Sequence, residues 1–236
     1  MNSRGKLIAI EGIDGSGKAT QTQLLAKALE DRGLTCTRFS FPRYGSFFGR
    51  LIGQFLNGEF GALDTVDAHL SAVLYAGDRL EAKAQIEAAL AAGHTVLADR
   101  YTASNLAHQT ARVAEEKRAE FIDWLRQLEY GIYGLPAEDL VIYLHLSTAE
   151  AQRLIGSKSA RSYTTLDRDL QERDSSHLEQ AARVYEILAG APNWVTVECM
   201  DPRTTSPKTP EEIHRLALEA VESRIFPGLL SLPLRC

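Results

Sequence analysis

Two hydrophobic periods alternate along the chain. Short apolar runs recur at Leu7-Ile8-Ala9-Ile10, Thr95-Val96-Leu97-Ala98 and Leu140-Val141-Ile142-Tyr143-Leu144. Runs this short, apolar on both faces, predict strands buried in a parallel sheet. Residues 35–41 and 194–198 predict two more strands, the first ended by Pro42. Between the strands the period turns helical. Leu24, Leu25, Ala28 and Leu29 share a face and Gly33 stops that helix. Residues 47–57 set Leu51, Ile52, Phe55 and Leu56 on one side, and 67–92 carry a long helical pattern with room for one break, closed by Gly93. Further helices are expected over 103–112 and 115–130, after the capping box Ser147-Thr148-Ala149-Glu150, around Leu178 to Leu188, and from Thr209-Pro210-Glu211-Glu212. The pattern lapses over 156–172, a polar stretch with Lys158, Arg161 and Arg168 and with Arg173 just beyond, and again from Phe226 onward.

Strands alternating with helices predict an α/β fold: a central parallel five-stranded sheet with helices on both faces, in one domain over 1–236. Ligands of such a sheet bind beyond the C-terminal ends of its strands. Composition adds little, since 44% hydrophobic and 24% charged residues are ordinary for a globular chain of 236 residues. The formal net charge of −5 offers no basic field for a nucleic-acid polymer. No apolar run is long enough to span a bilayer and no signal peptide is visible. Cys36, Cys199 and Cys236 lack metal-ligand spacing and read as free thiols in a reducing cytoplasm.

Chemistry enters at Gly12-Ile13-Asp14-Gly15-Ser16-Gly17-Lys18-Ala19-Thr20, between the first strand and the first helix. The spacing fits G-x-x-x-x-G-K, a phosphate-binding loop (P-loop). Glycines let successive N–H groups converge on one anion, the helix start adds its free N–H groups, and Lys18 supplies a cation for the outer phosphates. The residue after the lysine is ordinarily a Ser or Thr that ligates Mg²⁺; here it is Ala19, with Thr20 one place later. Two other candidate groups also fall at strand ends, Pro42-Arg43 and Asp99-Arg100-Tyr101. Read alone, Arg43 is a surface arginine, Arg100 a strand-end partner for Asp99, and Asp14 a turn aspartate before glycine.

In series the motifs resemble the thymidylate kinase family of nucleoside-monophosphate kinases. The matching pieces are Glu11 to Lys18 with Gln21, Phe41-Pro42-Arg43-Tyr44-Gly45, Leu74-Tyr75-Ala76-Gly77-Asp78-Arg79, Asp99-Arg100-Tyr101 with Ser104-Asn105, and Leu135-Pro136. The resemblance runs over about 6–198 and implies transfer of the ATP γ-phosphoryl group to dTMP, with Mg²⁺, by a P-loop three-layer sandwich acting as a homodimer. It implies ATP contacts along Gly12, Ile13, Asp14, Gly15, Ser16, Gly17, Lys18, Ala19 and Thr20. It implies dTMP contacts from Asp14, Arg43, Tyr75, Arg79, Arg100, Ser104, Asn105 and His108. Tyr75 would stack on thymine, with Arg79 four residues on gripping O4 and Asn105 at the N3 edge. His108 stands where the family often has a tyrosine, so a satisfied or surface histidine is at least as good a reading. Asp99 would hold Mg²⁺ directly or through water. The family places a catalytic arginine in the P-loop or in a lid; this loop has none, which directs attention to Arg161 and Arg168 in a lid over 156–173, beside the catalytic pair Lys18 and Arg100. Arg153 is a further basic residue near ATP. The alternatives are a kinase for dUMP or a deoxynucleoside, or a nucleotide-binding protein without catalysis.

Overall fold

The computed structural model describes residues 4–155, 175–204 and 206–231. Five strands form one sheet: β1 (Leu7–Glu11), β2 (Cys36–Ser40), β3 (Thr95–Asp99), β4 (Leu140–His145) and β5 (Trp194–Glu198). Their order is β2-β3-β1-β4-β5, and every neighbouring pair is parallel. The helices are α1 (Lys18–Glu30), α2 (Phe47–Leu56), α3 (Ala68–Ala91), α4 (Thr102–Thr110), α5 (Arg118–Arg126), α6 (Thr148–Ile155), α7 (Ser175–Leu188) and α8 (Pro210–Arg224). The expected lid, with Lys158, Arg161, Arg168 and Arg173, lies outside the described residues, as does Cys236.

Strand alternation sorts the core onto two faces. Ile8, Ile10, Leu97, Ile142 and Leu144 meet Leu25 and Leu29 of α1, Tyr185 of α7 and Val221 of α8. Leu7, Ala9, Val96, Ala98 and Val141 meet Ala82, Ile86 and Leu90 of α3. A smaller cluster joins Ile52, Phe55 and Leu56 of α2 to Leu74 and Tyr75 of α3. β1 is buried along its whole length, so the loop that follows it leaves from a fixed point.

Four local expectations change. α3 runs unbroken, begun by the Asp67 carboxylate accepting from the His69 N–H at 2.8 Å. The helix expected over 115–130 is a 3₁₀ turn at Glu115–Lys117, then α5, then a π-helical turn at Gln127–Ile132. Hydrophobic spacing cannot tell these apart, because each keeps one face inward. The tail beyond Phe226 is anchored as far as Leu229, which is buried at the start of a 3₁₀ turn. The Thr209 capping box is complete, whereas at Ser147 only the serine half forms and Glu150 pairs with Arg153 instead. Cys199 is buried and Cys36 half-buried, both free.

Candidate active site

Glycine geometry dictates the turn between β1 and α1. Gly12, Gly15 and Gly17 have φ of 144°, 91° and 89°. A Cβ on Gly12 would stand 2.7 Å from the Leu144 carbonyl oxygen, and one on Gly15 2.7 Å from that of Ala151. Only glycine fits both the angle and the space. Ile13 turns inward to the main core, so its side chain anchors the loop. Lys18 opens α1, and its ammonium donates to the Gly12 and Ile13 carbonyls at 3.0 and 2.9 Å, curling over the loop. The Ser16 hydroxyl is buried without a hydrogen-bond partner among the described residues. Ala19 and Thr20 are exposed on the first turn of α1.

β3 lies beside β1 with Asp99 in register with Ile10, which brings the second candidate group to the mouth of the loop. Arg100 has φ of 67°, in the left-handed region, an unusual setting for a non-glycine residue that is found where a site over-determines it. Its Nη2 donates to Asp14 Oδ1 at 2.5 Å, and its Nη1 to Ser104 Oγ at 3.1 Å and toward His108 Nε2 at 3.4 Å. The expected partner Asp99 is thus replaced by Asp14 of the P-loop. Burial pulls the Arg100 pKa down, Asp14 first among its neighbours pushes it up, and the net direction is up.

Glu11, the last residue of β1, is fully buried and holds this corner together. Its carboxylate accepts from the backbone N–H of Tyr101 and Ser104 at 2.7 and 3.1 Å, from Ser104 Oγ at 2.6 Å and from Tyr185 Oη at 2.9 Å. It therefore caps α4 from a neighbouring strand, since Tyr101 itself provides no side-chain cap. Burial first, then Glu11, push the Tyr185 phenol well above its ordinary pKa, so it remains a donor. Ser104 spends its hydroxyl inside this network. His108 is buried, and burial first, then Arg100, hold its pKa well below the ordinary value. The imidazole is neutral, with Nε2 facing the arginine and Nδ1 3.4 Å from His177 Nε2.

Arg43 follows the cis Phe41–Pro42 peptide. Its N–H and Nε donate to the buried Asp78 carboxylate at 2.7 and 3.0 Å, and Nη2 donates to the Asp78 carbonyl at 2.9 Å. Ser46 Oγ joins the same carboxylate at 2.9 Å, so Asp78 shapes the whole turn. Arg79, next along α3, is 2% exposed and binds Glu129 through Nε and Nη2, both at 2.6 Å. Asn105 Nδ2 donates to Glu129 Oε1 at 2.8 Å and to the Ala72 carbonyl at 3.0 Å. Tyr75 is half-buried on the same face of α3 as Ala72 and Arg79. Sequence reasoning gave no role to Glu11, Asp78, Glu129 or Tyr185. Two of them left a signal: Glu11 is a carboxylate closing an apolar strand, and Asp78 stands inside the family piece Leu74 to Arg79.

A P-loop at the end of the central strand of a five-stranded parallel sheet, joined by an ion pair to an arginine on the next strand, defines a P-loop α/β nucleotide-dependent enzyme. The comparisons narrow this. The Thymidylate kinase family model matches residues 10–206, and the chain belongs to that family. It is 34% identical to the thymidylate kinase of Mycobacterium tuberculosis over 189 residues, covering 80% of this chain and 87% of that protein. It is 32% identical to a probable thymidylate kinase of Thermococcus gammatolerans over 232 residues, covering 95% and 100%. The fold also matches a solved thymidylate kinase from Candida albicans with a TM-score of 0.74 at 23% identity, over 94% of this chain and 93% of that one. Thymidylate kinase is accordingly the activity of this chain, an ATP-dependent nucleoside-monophosphate kinase. Among the described residues no helix is long and apolar enough to cross a membrane.

Proposed function

We propose that the chain transfers the γ-phosphoryl group of ATP to dTMP at the mouth of the P-loop beside Arg100, giving dTDP and ADP. The observation that carries this reading is the Asp14–Arg100 ion pair, which ties the donor loop to the acceptor side at 2.5 Å. Loop amides and Lys18 cradle the ATP phosphates. Arg43 and Arg100 meet the dTMP phosphate and offset its charge as the two anions approach in line. Asp14 accepts from the 3′-hydroxyl, Tyr75 stacks on thymine, and Asn105 and Arg79 meet its N3 and O4 edge. His108, a neutral ring beside Arg100, lines the same pocket. Arg161 and Arg168 are the candidates for a lid arginine. Catalysis is positioning and charge neutralisation without a covalent intermediate.

The chemistry of the donor set fits Mg²⁺. The Asp99 carboxylate makes no hydrogen bond or ion pair among the described residues, and one carboxylate plus phosphate oxygens is a usual magnesium set. The ion neutralises phosphate charge when bound. Soluble, cytoplasmic action as a homodimer completes the reading; exposed Leu70 and Leu80 on α3 give a partner apolar surface. The test is ADP release from ATP across an acceptor panel. Release should require dTMP and Mg²⁺ and rank dTMP first. ADP release indifferent to dTMP, or dUMP ranking well above it, would sink the reading.

A further inference from the structure

Glu129 lies in the π-helical turn after α5, 1% exposed, where a lone carboxylate is unexpected. Two buried side chains from different helices spend donors on it. Arg79 of α3 binds both of its oxygens, and Asn105 of α4 donates Nδ2 to Oε1. A second acceptor, the Ala72 carbonyl, receives from the same Nδ2. A carboxylate and a carbonyl only accept, so the NH₂ end of the Asn105 amide must face them. Turning the amide over would set oxygen against oxygen twice and lose a charge-assisted hydrogen bond. Asn105 Oδ1 is therefore held at the opposite end, and it is buried with no partner among the described residues. A buried acceptor so placed is expected to find a donor.

We propose that Glu129 is a positioning residue that sets base specificity, fixing the Asn105 amide so that Oδ1 is offered as an acceptor to a ring N–H. The inference rests on the reading above that Asn105 and Arg79 line the base pocket. Thymine carries a donor at N3 and an acceptor at O4; cytosine carries an acceptor at N3 and a donor at N4. Asn105 Oδ1 and the Arg79 N–H groups not spent on Glu129 present acceptor then donor, the complement of thymine. Cytosine meets like against like at both places. Glu129 thus reads the ring without touching it, through the two side chains whose polarity it dictates. The pyrimidine class selected is the imide, thymine or uracil.

The test is steady-state kcat/KM for dTMP and dCMP in wild type, Glu129→Gln and Glu129→Asp, with the KM for ATP alongside. Wild type should prefer dTMP by about 10⁴ or more, as sites built on buried polar pairs do. Glu129→Gln replaces one acceptor atom by a donor, so the dTMP/dCMP ratio should fall by about tenfold or more, through the KM for dTMP. The KM for ATP should hold, and Glu129→Asp, which keeps the carboxylate, should recover part of the ratio. A purely structural role would lower both substrates in parallel; an unchanged ratio in folded Glu129→Gln overturns the proposal. If Glu129→Gln fails to fold, Glu129→Asp alone carries the comparison: one methylene shorter, its carboxylate is withdrawn from Asn105 while the buried arginine keeps a charge partner, and its ratio should lie below that of wild type. A retained ratio there is equally fatal. Wild type accepting dCMP as readily as dTMP is a separate failure, removing the base-pocket reading itself.

Discussion

The P-loop and the proposed acceptor pocket lie at the C-terminal ends of the same strands and are built by opposite means. The loop spans consecutive residues and turns its backbone toward the proposed ATP site; Gly12, Gly15 and Gly17 are required by φ, and Gly12 and Gly15 also by 2.7 Å approaches from neighbouring carbonyls. The pocket is assembled from side chains that the fold carries in from afar. Arg79 and Glu129 are 50 positions apart, Glu11 and Tyr101 are 90, and Glu11 and Tyr185 are 174. The loop depends on conformations only glycine supplies, whereas the pocket depends on every buried charge having its partner. Damage to each should therefore look different: loss of rate in the loop, loss of stability or selectivity in the pocket.

The sharpest break is at Lys18. Its ammonium donates to two loop carbonyls, which hold the cation over the loop. Lys18→Ala should lower kcat by about 10²–10³ or more, the range for removing one oriented donor to a transition-state oxyanion. The unfolding transition should survive, with a loss of about 1–2 kcal/mol from the two carbonyl contacts. Single-turnover rates and urea unfolding measured together separate the effects, and unchanged kcat would end the phosphate role.

Glu11 is the counterpart on the pocket side. Glu11→Ala strips the acceptor from two backbone N–H groups and two hydroxyls, all buried. Leaving such donors unsatisfied should cost about 3–5 kcal/mol of stability, far more than Lys18→Ala. Activity should fall with the folded fraction and with the placement of Arg100, seen as a raised KM for dTMP. Denaturant unfolding that matched wild type would show that water replaces the carboxylate and that Glu11 holds nothing.

This contrast also explains how much the sequence could disclose. All five strands, the P-loop and the Thr209 capping box were legible because each rests on neighbours within a few residues. Arg43, Arg100, Ser104 and Asn105 were reached through family motifs, but which side chain each of them pairs with was not. Arg100 looks toward Asp14 rather than the adjacent Asp99, because its left-handed backbone turns the side chain back across the loop. Glu129 could not be found at all. On an amphipathic segment a glutamate reads as solvated, and nothing local reveals that a π turn buries it against an arginine from another helix.

The smallest effect sharpens the comparison most, because it separates charge from packing within the pocket. His108 touches Arg100, His177 and the Tyr185 ring, and its pKa lies well below 6.5 through burial and then Arg100. In the unfolded chain it titrates near the ordinary value of about 6.5. Between that value and the folded pKa the unfolded state binds a proton the native state does not, so stability rises with pH. The contribution is complete above about pH 6.5 and drains away as pH falls toward the folded value, by at most about 1.4 kcal/mol per unit. His108→Gln keeps a neutral polar group and removes the titration. Its unfolding free energy relative to wild type should therefore improve by about 1 kcal/mol between pH 7.5 and 5.5. His214, whose pKa is also lowered by burial and Arg32, is present in both proteins and cancels from the difference. A pH-independent difference would mean that His108 charges freely beside Arg100, and that this corner tolerates an added cation which the buried ion pairs around it argue against.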